Sequence, residues 1–210
     1  MMFKKVTSWA VLVLSLVVIF FGNSAWANKA VDAPFGLEWG LSKGDLIEMG
    51  MTLTDCKELG WVEQCNASGV PKSLSNAEWY QVLVTKKYGL QKVGMVGTDI
   101  SSDIYGSSGK ASYSKLKTAL VKKYGTPKSF EYVGRELWDE ADEFYQCLAY
   151  DGCGTWTSYW VDGLEGTIAL ELKGMRRGEG YLTLWYEGGS WSTAIDEKDM
   201  MQDSADEDAL

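Results

Sequence analysis

The side chains in this 210-residue chain that are best suited to chemistry are carboxylates and cysteines. Asp139, Glu140, Asp142 and Glu143 crowd one short stretch, and paired carboxylates are what glycoside hydrolysis needs. On a helix, however, Asp139 and Glu143 share a face at i,i+4 while their neighbours point elsewhere, the pattern of a solvated helix surface. The chain has no histidine. That removes Ser-His-Asp and Cys-His catalysis, His-ligated zinc and a histidine pH switch. No G-x-S-x-G or S-x-x-K motif stands in a strand–turn–helix context, and the glycines follow hairpin turns, not a phosphate cradle. The reading is therefore non-enzymatic, with no catalytic residue, cofactor or metal assigned. A carboxylate-dependent hydrolase is kept as an alternative.

The cysteines are Cys56, Cys65, Cys147 and Cys153. An even count in an exported chain reads as two disulfides, and four cysteines allow three connectivities. The local pairing Cys56–Cys65 and Cys147–Cys153 closes one short loop in each half and is preferred, each loop contributing about 2–3 kcal/mol in the chain-entropy model. A four-cysteine zinc site is disfavoured, since C-x-x-C is missing and the compartment is wrong for it.

Export is read from the N-terminus. Lys4 and Lys5 precede an apolar run from Ala10 to Phe21, and Ala25-Trp26-Ala27 has the small-x-small form of a signal-peptidase site. Residues 1–27 are expected to be a signal peptide, which places the product in the periplasm or outside the cell with no stable membrane insertion after cleavage. The formal charge of −9 becomes −11 without Lys4 and Lys5. Residues 196–210 alone carry −6, so most of the acidity sits in a tail expected to be disordered. An acidic balance argues against nucleic acid and favours a basic partner.

The elements that must position any site follow from periodicity. Ser112 to Pro127 reads as a helix ending at Gly125. A shorter one starts at Ser42 with a capping box closed by Asp45, turning Leu46, Ile47 and Met49 inward. A third runs from Glu136 to Ala149 along Leu137, Ala141, Phe144 and Leu148. Hairpins are expected over Tyr80–Val84 with Val93–Val96, and over Ile168–Leu172 with Tyr181–Tyr186, plus a strand at Thr155–Val161. The fold class is α+β, with antiparallel sheet and helices on one face. The order helix, cysteine pair, hairpin occurs twice, which divides the chain into halves at 28–105 and 106–195. Two tandem repeats and one continuous α+β domain both fit that order.

The stretch Phe35-Gly36-Leu37-Glu38-Trp39-Gly40-Leu41-Ser42 resembles the opening of envelope modules of the SmpA/OmlA type, where a similar step enters a short helix before a hairpin-rich sheet. The doubled layout resembles that of the β-lactamase inhibitory protein. That resemblance implies helices on one sheet face and an aromatic-lined face that grips another protein. The chain lacks the lipidated cysteine of the SmpA/OmlA pattern.

The aromatic residues carry the functional expectation. Trp156 and Trp160 share one face of their strand, and Tyr181 and Trp185 share one face of theirs. These four are the expected partner-binding residues, gathered on the sheet face opposite the helices, because Trp and Tyr dominate interface hot spots. The expected function is binding of a protein partner, as an inhibitor or immunity-type protein or an envelope accessory. A glycan- or small-ligand-binding module using the same rings is the alternative.

Overall fold

The computed structural model describes residues 29–134 and 137–208. The expected signal segment, residues 1–27, lies outside them, as does Glu136. The chain runs β1 (Lys29–Ala30), α1 (Lys43–Glu48), β2 (Thr52–Glu58), β3 (Val62–Ser68), β4 (Ala77–Thr85), β5 (Gly89–Gly97), α2 (Ser107–Tyr124) and β6 (Lys128–Tyr132). A 3-10 turn at Ala141–Glu143 leads into α3 (Phe144–Ala149), then β7 (Thr155–Trp160), β8 (Leu164–Glu165), β9 (Thr167–Arg176), β10 (Glu179–Glu187) and α4 (Trp191–Asp208).

Eight strands form one antiparallel sheet in the order β2-β3-β4-β5-β10-β9-β7-β6. The strands before α2 make one side of the sheet, those after it make the other, and β5 and β10 join them at the centre. β1 and β8 pair separately and in parallel. The class is α+β with an open sheet. No helix among the described residues is long and apolar enough to cross a membrane.

Period-two patterning decides the faces. Tyr80, Val82, Val93, Met95, Ile168, Leu170, Leu172, Leu182, Leu184 and Tyr186 are buried in one core with Leu46, Tyr113, Leu120, Phe144 and Tyr145 from the helices. Each fully buried aliphatic or aromatic side chain contributes roughly 1.5–3 kcal/mol, so this face dominates stability. The loop before α1 closes one end of the core, where Gly40 and Leu41 exchange backbone bonds with Leu90 at 3.0 and 2.8 Å.

Helix ends follow local chemistry. α1 starts at Ser42 with the expected capping box: Ser42 N–H donates to Asp45 Oδ2 at 2.7 Å, and Asp45 N–H donates to Ser42 Oγ at 3.2 Å. Only Leu46 of its apolar residues is buried; Ile47 and Met49 face solvent because a six-residue helix presents a single turn to the sheet. α2 starts at Ser107, earlier than the expected Ser112, because Asp103 Oδ2 accepts from Gly109 N–H at 2.9 Å and holds the first turn. It stops at Gly125 as expected. The third helix is shorter than the pattern suggests and leaves Leu137 exposed. α3 lies directly on β9, since a β-carbon at Gly174 would stand 1.9 Å from the Tyr145 carbonyl oxygen.

Both disulfides pair as expected, Cys56–Cys65 and Cys147–Cys153. The first ties β2 to β3 across a hairpin that alternation does not reveal, because β2 is exposed along nearly its whole length. The second is buried and fastens the end of α3 to the approach to β7.

The acidic C-terminus departs from expectation. Residues 191–208 are helical, including most of the segment expected to be disordered. Trp191, Ala194, Ile195 and Lys198 fall at i, i+3, i+4 and i+7; Trp191 and Ile195 join an apolar cluster with Trp61, Val62, Leu83 and Trp185, and Ala194 is buried. Glu197 adds a polar clasp, accepting from Lys87 Nζ at 2.5 Å and from the Tyr88 hydroxyl at 2.7 Å. α4 therefore packs on the sheet face away from the other helices, at one corner.

Candidate functional site

Away from that corner, the second face of the sheet carries no covering element among the described residues. Its side chains are set by register, since residues paired across antiparallel strands point to the same side. One row runs through the sheet centre: Asn66, Gln81, Gly94, Trp185, Ala169, Tyr159 and Lys128. Trp185 thus stands between two small residues. Its indole leans over Gly94, where a β-carbon would fall 2.4 Å from Cζ3 of the ring.

That tilt leaves Ala169 as the floor of a hollow of about 520 Å³, with Tyr159 and Trp185 on opposite walls. Two strand spacings separate their backbones by about 10 Å, enough for one planar or aliphatic group between the rings. Gln64, Gln81, Lys92 and Glu187 complete the lining. Tyr159 is exposed and continues the aromatic surface to Phe130 on the edge strand, at a ring separation of 6.4 Å.

Lys92 organises the border with α4. It binds Glu187 Oε1 at 2.7 Å and lies 5.4 Å from the Trp185 ring and 5.1 Å from the Trp191 ring. Each such cation–π contact contributes about 0.5–1 kcal/mol at partly exposed sites. Trp191 in turn meets Trp61 at 5.3 Å.

A second hollow, about 440 Å³, continues the same face beyond Trp185. Trp79, Val96, Tyr181, Met175 and Thr183 line it, with Glu78 and Asp99 at its margin. The Thr183 hydroxyl is buried here without a hydrogen-bond partner.

The expected partner-binding set is split by the sheet. Tyr181 and Trp185 lie on the open face, whereas Trp156 and Trp160 lie on the helix side. Register explains it: Trp160 pairs with Ile168, which pairs with Tyr186, and all three enter the core. Trp160 is 2% exposed and its indole N–H donates to Gly125 O at 2.7 Å. Trp156 packs edge-on against Phe144 at 5.4 Å. The rings that do join Trp185 and Tyr181 are Tyr159 and Trp79. Alternation within β7 already opposed Tyr159 to the two tryptophans; only the pairing of β7 with β9 shows which set faces out.

Three of the four carboxylates near α3 have local tasks. Glu140 and Glu143 cap each other's backbone at the 3-10 turn, and Asp142 pairs with Arg177. Among the described residues, only Cys56, Glu63 and Cys65 have metal-ligand spacing, and the two sulfurs are joined to each other. Buried polar groups on the helix side form structural networks instead. Tyr113 hydroxyl meets Ser158 Oγ at 2.7 Å, and Tyr145 hydroxyl donates to Asp103 at 2.8 Å.

The chain matches no family model, no curated protein and no solved structure. The open face must therefore be read from its own geometry. It offers a row of separated rings, two hollows between them and paired charges at the border.

Proposed function

We propose that this protein is exported and binds a protein partner through the open face of its sheet. The observation that carries the reading is the Tyr159–Ala169–Trp185 slot, where two rings flank a methyl floor in the part of the sheet face that α4 and the other described residues leave uncovered. Aromatic anchors of this kind concentrate binding energy in a few residues. Two disulfides support an oxidising compartment, periplasmic or extracellular. The charge of −9 favours a basic partner, chiefly through association rate. Inhibitor, immunity or envelope-accessory action are the forms such binding takes.

The test is affinity for a partner captured from envelope extract of the parent organism and then purified. Trp185→Ala and Tyr159→Ala each lower affinity by about 2 kcal/mol or more, the range of interface hot spots, without altering the unfolding midpoint appreciably. Affinity unchanged in both variants contradicts the reading. The glutamines beside the rings, Gln64 and Gln81, suit a sugar equally well. Saturable quenching of tryptophan emission by oligosaccharides, lost in Trp185→Ala, would give the face to a glycan instead.

A further inference from the structure

The hollow beyond Trp185 carries a feature that packing alone leaves unexplained. Thr183 is 4% exposed, its side chain is turned to the open face by its pairing with Val96 and Glu171, and its hydroxyl has no partner. A buried hydroxyl without a hydrogen bond is unfavourable and uncommon in folded proteins. Trp79 and Tyr181 line the same hollow, with Glu78 and Asp99 at its margin. Glu78 is the extra residue of a bulge between the Ala77–Gly97 and Trp79–Val96 pairs, which carries its carboxylate outward.

The charges of this hollow are uneven. Lys173 also lines it but is bound to Glu171 at 2.9 Å. Arg176 is near enough to feel Asp99, yet it is bound to Glu179 at 2.6 Å. Glu78 and Asp99 have no ion pair of their own among the described residues. An aromatic pair, an unused oxygen acceptor and two unpaired carboxylates around one cavity share a single complement: a planar cation that stacks on rings while donating several hydrogen bonds in fixed directions.

We propose that this hollow is the subsite for an arginine side chain of the protein partner, its guanidinium stacked against Trp79 or Tyr181 and donating to the Glu78 or Asp99 carboxylate and, once a rotamer change of the surrounding side chains uncovers it, to Thr183 Oγ1. The proposal rests on the reading of the open face as a protein-binding surface and names the partner's chemistry at its second hollow. Arginine fits better than lysine because its planar guanidinium lies flat on a ring while its fixed fork of donors reaches the acceptors, whereas an ammonium is a compact point charge. The buried hydroxyl then finds in the complex the partner it lacks in the free protein.

The experiment titrates the protein with Nα-acetyl-arginine methylamide and follows the Trp79 indole N–H by heteronuclear NMR, assigned through Trp79→Phe. The citrulline and lysine analogues are the comparisons. A saturable shift with the arginine probe is expected, at least about tenfold weaker with citrulline, which keeps the shape and loses the charge. Glu78→Gln combined with Asp99→Asn abolishes the shift. Thr183→Val weakens it several-fold while leaving the unfolding midpoint unchanged or higher, since a methyl replaces an unpaired hydroxyl; a purely structural threonine would show the reverse. No saturable shift, or equal shifts with citrulline or lysine, overturns the proposal. If the arginine probe fails while Trp185→Ala still impairs partner binding, the subsite is wrong and the protein-binding reading stands. If the probe binds but neither Trp185→Ala nor Tyr159→Ala affects the partner, the site is a guanidinium site and the wider reading falls.

Discussion

The indole of Trp185 occupies the space above Gly94, its cross-strand partner on β5, so closely that a β-carbon at Gly94 would lie 2.4 Å from the ring. This pair joins the two sides of the sheet at its central strands and sets the tilt that opens the slot over Ala169. Gly94→Ala is therefore expected to lift the indole, at a cost of about 1–3 kcal/mol from overpacking. Adding Trp185→Ala removes the clash, so the double variant is more stable than the two single losses predict. Chemical denaturation of the four members of the cycle measures this coupling; strict additivity would show that the contact does not exist.

Trp160 and Trp185 separate cleanly by stability. Trp160 is buried and hydrogen-bonded to Gly125, so Trp160→Ala should cost about 3–5 kcal/mol. Trp185 is half-buried on the open face, so its truncation should cost much less. Urea unfolding midpoints check this. Equal losses would place both rings in cores.

The disulfides differ in access. Cys56 is exposed, whereas Cys147 and Cys153 are fully buried. Mild reductant acting on the folded protein should open Cys56–Cys65 first and leave Cys147–Cys153 until the chain unfolds. Timed alkylation and peptide mapping reads the order. Replacing either pair by alanines should lower stability by about 2–3 kcal/mol in the loop-entropy account.

Asp103 ties acid stability to the start of α2. Burial works to raise its pKa, but hydrogen bonds from Gly109 N–H, from the Tyr145 hydroxyl and from the Ser108 and Ser107 N–H groups outweigh it and hold the group below its ordinary 3.8. A lowered carboxyl pKa contributes stability that is present above the ordinary value and is lost as pH falls through the folded one. Asp103→Asn should reduce stability near neutrality by about 1–3 kcal/mol and flatten the acid limb of the stability–pH profile. An unchanged acid limb would mean that Asp103 is not the group responsible.

Alkaline behaviour has the opposite sign. Burial raises the pKa of Tyr113, Tyr145 and Tyr186 above the ordinary 10.0. Their contribution is full below that value and fades as pH rises through the folded pKa values. The phenolate absorbance of these three should accordingly appear only with unfolding, which parallel far-UV circular dichroism detects. Ionisation of these three in the still-folded protein would contradict the burial.

Much of the fold was legible because its signals are local. Ser42 and Asp45 sit three apart at a helix start, Gly125 and Pro127 stop α2, and the apolar alternation of Tyr80, Val82 and Ile168, Leu170, Leu172 marks strands. The site was less legible because it depends on which strands pair. Alternation puts Trp156 with Trp160 and Tyr181 with Trp185, yet nothing local says that β7 joins β9 with Trp160 beside Ile168. The return strands illustrate the same limit. By register, Tyr80–Met95 and Val82–Val93 correspond to Ile168–Tyr186 and Leu170–Leu184, but bulges near Val84 and Glu179 break any constant spacing. In α4 the acidic composition concealed a helical face that begins at Trp191, ahead of the tail itself.

The central claim is that the open face, and not the helix side, meets the partner. A photo-crosslinking residue placed at Ala169, on the floor of the slot, and another at Lys115, exposed on α2, test it directly in envelope extract. A discrete protein adduct is expected from position 169 that disappears with Trp185→Ala, and no such adduct from position 115. The same adduct from both positions, or from position 115 alone, would contradict it.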